Sequence, residues 1–216
     1  MQPNHLRAPM FDLIDALLFD DDFVQLWEPQ YDAIAHDEAE YQSLVQAVRK
    51  DVDSIGAIRE ATLRRILEWK SARTKGHVHW WNYGLYIETV RDCLSMHGDD
   101  RLDAICKLPG VRERVGSTIL HFIYPDTYPI FDIRTLEALR YLGADLGKSF
   151  SVNNYYRFRE YLISTQVVLN RWTLRELDRA IFAFHKRSPE IFGATLGNGR
   201  RAQSTTHPYY CPRSGA

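Results

Sequence analysis

The chain has 216 residues, 45% of them hydrophobic and 25% charged, enough for one globular domain or two small interlocked ones. No apolar run is long enough to cross a bilayer, which excludes a membrane-spanning helix. A net charge of −1 hides an asymmetry: residues 1–100 carry 10 Lys and Arg against 18 Asp and Glu, whereas residues 101–216 carry 17 against 10. Fourteen of those 17 are arginine, the residue suited to forked phosphate contacts, so the second half is compatible with nucleic acid. The plainer alternative is a solvated surface of uneven sign.

Residues 1–9 show no periodicity and are expected to be disordered. The acidic start, with Asp12, Asp15 and Asp20 to Asp22, argues against a signal peptide. Cys93, Cys106 and Cys211 are too few and too scattered for a disulfide framework or a four-cysteine iron–sulfur cluster. A cytoplasmic protein without cofactor is therefore expected, nucleoid-associated if bacterial. Phe11, Ile14, Leu17, Leu18 and Leu26 have helical spacing over 10–27, and Glu28-Pro29 breaks it. A second helix is predicted over 30–50, with Tyr31, Ile34, Tyr41, Leu44, Val45 and Val48 inward. A third is predicted after a cap at Asp53-Ser54, with Ile58, Leu63, Ile66, Leu67 and Trp69 as its apolar face.

A loop dense in aromatic and basic residues follows, from Trp69, Lys70 and Arg73 through His77 and His79 to Trp80 and Trp81. Exposed aromatics stack on unpaired bases and neighbouring cations hold phosphate. Equally, the three tryptophans are large core residues whose edges Lys70 and Arg73 cover. His77 and His79 alternate as metal ligands do, but no carboxylate or cysteine pattern completes a set, so no metal is expected. Further helices are predicted over 83–96, 99–107, 112–124, from Ile133 to Gly143, over 153–169, and from Thr173 to about 187. No strand pattern and no repeat is visible, so the class is all-α. Residues 188–216, rich in Gly, Ser, Thr and Pro, read as a loose tail, which leaves 10–187 as the domain.

The stretch Leu108-Pro109-Gly110-Val111 separates two helical patterns. Proline cannot continue a helix and glycine accepts a tight turn. The helix that follows offers unpaired amides beside Arg112 and Arg114, an anion site by construction. This hairpin, with the small residue Gly116 in the next helix, resembles the helix-hairpin-helix superfamily of base-excision DNA glycosylases. The likeness in order and spacing covers about residues 99–142. It implies a glycosylase-like fold of two interlocked helical subdomains and a monomer that binds double-stranded DNA holding a damaged or modified base. Gly110, Arg112, Arg114, Val115, Gly116 and Arg134 would contact DNA. The superfamily's aspartate falls on Asp132, in Pro129-Ile130-Phe131-Asp132. The chain departs from the pattern twice: Arg112 replaces a second glycine, and Arg114 stands where bifunctional members carry a lysine.

Cleaving an N-glycosidic bond builds positive charge on the sugar, which a carboxylate stabilises while it positions water. Asp132 fits that role. As the residue before a helix it equally fits a simple cap. The leaving base needs hydrogen-bond donors, and His121, Tyr124 or Trp69 can each supply one. Trp69, Lys70, Arg73, Trp80, Trp81, His121 and Tyr124 are the candidate base pocket. A guanidinium stays protonated and cannot act as an amine nucleophile, so Arg114 implies a monofunctional N-glycosylase. The competing reading is the same fold used as a non-catalytic DNA-binding or interaction module.

Overall fold

The computed structural model describes residues 19–35, 37–71, 78, 80–96 and 100–193. The expected disordered start, Arg73, His77, His79 and the chain after Gly193 lie outside the described residues. Every regular element among those described is helical, as the periodicity predicts. These are α1 (Asp21–Trp27), α2 (Asp32–Ala35), α3 (Glu38–Ile55), α4 (Glu60–Lys70), α5 (Tyr83–Ser95), α6 (Asp100–Ile105), α7 (Glu113–Ile123), α8 (Ile133–Tyr141), α9 (Val152–Leu169), α10 (Leu174–Arg187) and α11 (Pro189–Phe192). Single 3₁₀ turns precede α2 and α5.

Local chemistry sets the boundaries. The predicted second helix is two helices, α2 and α3, and Asp37 between them accepts a hydrogen bond from the Tyr31 hydroxyl at 2.9 Å. The predicted cap at Asp53-Ser54 lies inside α3, which runs on until Gly56 turns left-handed at φ 61°. The entry to α4 is held instead by Asp51 of α3, whose carboxylate accepts the Arg59 N–H at 3.0 Å. At Thr173 the sequence signal and the structure coincide, because Thr173 and Glu176 form a reciprocal capping box on α10. Residues 189–192, within the predicted tail, form α11, and its Phe192 ring stacks on His185 at 4.3 Å between centroids.

Two groups of helices share one core. In the first, α7 packs against α3, α4 and α6. In the second, α10 packs against α8, α9 and α1, so the start of the described chain completes the group built by its end. Phe23 and Trp27 of α1 each meet Phe184 of α10 edge-on at 5.3 Å. Asp21 adds a 2.7 Å bond from the Trp172 indole.

Between α6 and α7 the chain turns at Pro109-Gly110, with Gly110 at φ 78° and Val111 buried. The Tyr86 hydroxyl pins this turn through the Pro109 carbonyl at 2.5 Å. Gly116 lets α7 approach α6 closely: a Cβ there would stand 2.9 Å from Ile105 Cγ2 and 3.1 Å from Leu102 Cδ1. Gly116→Val is expected to lower stability by about 1–3 kcal/mol through overpacking. In Gly116→Ala the clash is offset by about 1 kcal/mol of helix propensity. Urea unfolding measures both, and a valine variant as stable as the parent would refute the tight packing.

A candidate active site around Asp132

Asp132 ends an extended segment that α7 and α9 hold in place. The Ser117 hydroxyl accepts the Phe131 N–H at 3.0 Å, and the Phe131 ring packs into Phe150, Tyr155 and Phe158. With its backbone fixed, the Asp132 side chain divides its two oxygens. Oδ1 caps α8 by accepting the Arg134 N–H at 3.1 Å, with the Arg134 guanidinium 3.8 Å away. Oδ2 accepts from the Lys70 ammonium at 2.9 Å and from Arg114 at 3.3 Å. Burial alone would raise this carboxyl, but Lys70, the Arg134 amide and Arg114 outweigh it and hold it well below the usual carboxylate range. Asp132 is thus an anion at all ordinary pH.

The carboxylate borders a cavity of about 150 Å³, close to the size of one known to bind benzene. Trp69 and Lys70 of the predicted base pocket, Asp132 of the predicted catalytic role and Arg134 of the predicted DNA contacts all line it. So do Tyr31, Ala35, Asp37, Ile130, Arg175, Asp178 and Phe182. Two of these matter chemically and were not anticipated. Arg175 bonds Asp178 at 3.2 Å, the Tyr31 hydroxyl at 3.0 Å and Glu38 at 3.2 Å, and lies over the Tyr41 ring at 4.4 Å. Burial pushes the Asp178 carboxyl up to about 6, against the pull of Arg175 and Lys70. The available signal was two charges one turn apart, Arg175 and Asp178, on the helix face of Leu174, Leu177 and Ile181. The Trp69 indole N–H reaches no hydrogen-bond partner among the described residues.

The other predicted pocket residues stand elsewhere. Trp80 lies under the Arg64 guanidinium at 3.7 Å, Trp81 is 83% exposed, and Tyr124 carries Arg101 over its ring at 4.4 Å. His121 is fully enclosed behind the cavity wall. Its Nδ1–H donates to the Tyr128 carbonyl at 2.8 Å, which leaves Nε2 to accept from the Tyr41 hydroxyl at 2.9 Å. Both ring nitrogens are therefore satisfied within the protein. Among the DNA-contact candidates, Gly110, Arg112 and Arg114 are exposed at the hairpin, Arg134 and Val115 are half-buried, and Gly116 is buried in the helix crossing. Arg112 precedes α7 without capping it through its side chain, and its carbonyl accepts the Val115 and Gly116 amides at 2.9 and 2.7 Å. No family model, curated protein or solved structure matches the chain.

The His121 environment fixes a pH dependence. Burial drives the imidazole down to about 3, against an ordinary value of about 6.5. The unfolded chain takes up a proton that the folded chain refuses, so stability falls as pH drops through that window. Asp178 acts in the opposite sense, since the folded form holds its proton longer and that contribution fades as pH rises through about 6. His121→Gln keeps a donor for Tyr128 and an acceptor for Tyr41 without the titration. Its Tm is expected to fall less steeply than the parent's between about pH 6.5 and 4. Parallel curves would show that His121 is not the acid-sensitive group.

Proposed function

We propose that the protein binds double-stranded DNA at the hairpin and releases a damaged or modified base, with Asp132 stabilising the charge that develops on the sugar. The observation that carries this reading is an aspartate held anionic at the wall of a ring-sized cavity and tied through Arg114 to the hairpin helix. A fixed negative charge in a partly desolvated site is worth most where a cation develops. The N-terminus of α7 and the exposed Arg112 suit a phosphate, and the aromatic wall of Trp69, Tyr31 and Phe182 suits a base flipped out of the duplex. Arg114 has a supporting part here: it keeps its charge and grips the carboxylate.

The non-catalytic reading has one observation in its favour. Both oxygens of Asp132 already have partners, as in a helix cap reinforced by ion pairs. A panel of labelled duplexes with different lesions, assayed for base release, separates the two. Asp132→Asn is expected to lose on the order of 10²-fold in rate or more, with circular dichroism confirming the fold. Base release by neither protein on any duplex would favour the module, and equal release by both would refute the role of Asp132. DNA affinity is expected to fall with salt as counterions are released. Arg112→Glu tests the hairpin without touching Asp132, and unchanged affinity in that variant would move the DNA site elsewhere.

A further inference from the structure

Two groups at the wall of the cavity are held in place by their neighbours and still have hydrogen-bonding capacity that no described residue meets. The Trp69 ring stands edge-on to Phe122 at 5.2 Å, tilts against Tyr41 at 5.9 Å and carries the Arg175 guanidinium at 5.6 Å. Its indole N–H nevertheless has no partner among the described residues, although a buried indole ordinarily finds one. Asp178 gives Oδ2 to Arg175 at 3.2 Å, and Oδ1 accepts from no described residue. The Nε atoms of Arg134 and Arg175, two further residues of the wall, are unmet in the same way. A buried polar atom without a partner costs free energy that a ligand recovers by supplying one. Of these unmet atoms, three donate and one accepts, so the wall suits a ligand rich in acceptors that carries a single donor.

Resting on the DNA reading above, we propose that Trp69 and Asp178 are specificity-determining residues that select a 2,4-dioxopyrimidine, the uracil type of ring, as the flipped base. Oδ1 of Asp178 accepts the ring N3–H, and the Trp69 N–H donates to a carbonyl oxygen beside it. Asp132, whose two oxygens are already bonded, takes no part in the choice.

Size and polarity exclude the other bases separately. A volume of about 150 Å³ matches one six-membered ring and not the fused pair of a purine. Cytosine is small enough, but it has one carbonyl, and its N3 carries a lone pair where the dioxopyrimidine carries a hydrogen. That lone pair would meet the Asp178 anion, a repulsive contact that rejects the wrong ring. A site built to bond an N–H discriminates strongly against a ring without it, because its own buried group is then left unpaired.

The test measures binding and not turnover, with the full chain at mildly alkaline pH, where Asp178 is ionised. Fluorescent duplexes carry one probe base on a 2′-fluorinated sugar, which resists base loss, opposite a spacer that pairs with nothing. The probes are uracil, N3-methyluracil, cytosine and hypoxanthine, the last showing the same carbonyl and N–H on a two-ring frame. By fluorescence anisotropy the uracil duplex is expected to bind at least about tenfold more tightly than the other three. Trp69→Phe keeps the ring without the N–H and is expected to shrink that advantage. In Asp178→Asn, Arg175 retains the amide oxygen and the amide N–H₂ turns to the ring, so the preference is expected to move to cytosine. A merely structural Asp178 would weaken all four duplexes alike. Circular dichroism checks each fold, and the N3-methyl probe on the parent protein decides the matter if a variant fails to fold. Equal affinity for the four probes, or a parent preference for cytosine or hypoxanthine, overturns the selection and leaves the DNA reading standing. A uracil preference that survives Asp178→Asn overturns the role of Asp178. No binding to any duplex overturns the DNA reading and this proposal together.

Discussion

The guanidinium of Arg175 is the charge around which the molecule closes. Its side chain is only 10% exposed, a position that carries a penalty of several kcal/mol unless the charge is paired and its hydrogen bonds are met. The chain meets that demand from three directions. Asp178 comes from the same helix, Glu38 and Tyr31 from the first part of the chain, and the rings of Tyr41 and Trp69 from α3 and α4. One cation thereby fixes the relative positions of α10, α3, α4 and the turn before α2. These elements carry much of the wall of the cavity beside Asp132. Removing any one partner leaves a buried charge under-compensated, so the wall is coupled rather than assembled from independent pieces.

The uneven charge of the two halves acquires a second meaning from this arrangement. Arg171, Arg175 and Arg179 all come from the basic half and all pair with acids of the first half: Asp21, Asp37, Glu38, Glu28 and Asp32. Part of the asymmetry is thus internal glue between segments distant in sequence. The arginines left at the hairpin, Arg112 and Arg114, are a smaller positive feature than the raw count suggests. Near neutrality overall, local geometry and not bulk attraction has to supply any selectivity for a polyanion.

What could be read in the sequence divides by the range of the interaction. The turn at Pro109-Gly110, the helix started by Thr173 and the helix following Asp132 were visible because each depends on residues within a few positions of one another. Asp53-Ser54 has the composition of a cap, but Gly56, two residues further on, ends α3, and Asp51 supplies the bond from inside the previous helix. The resemblance groups Trp69 and Lys70 in one pocket and sets Asp132 to its chemistry, and the structure brings these three and Arg134 to one wall, whereas Trp80, Trp81, His121 and Tyr124 of the same predicted pocket stand apart. An i,i+3 pair such as Arg175 and Asp178 usually faces solvent on a helix, and only the packing of α10 on α1 and α8 turns this one inward. His121 shows the converse: an imidazole open to several roles on paper is committed by Tyr41 and Tyr128 to a neutral structural one.

The docking of α1 on α10 sets the order in which the molecule can be completed. Asp21 and Trp172 are joined across 151 positions, and a seven-residue helix such as α1 has little stability of its own. During synthesis, Phe23, Val24 and Trp27 emerge early and remain without their partner until the segment around Phe184 has left the ribosome. The middle group, α3 to α7, contains its own contacts and can consolidate first. α10 therefore closes a site that Tyr31 and Ala35, made much earlier, help to wall, and a nascent chain interrupted before α10 would leave Phe23 and Trp27 without Phe184 and the cavity without Arg175 and Asp178.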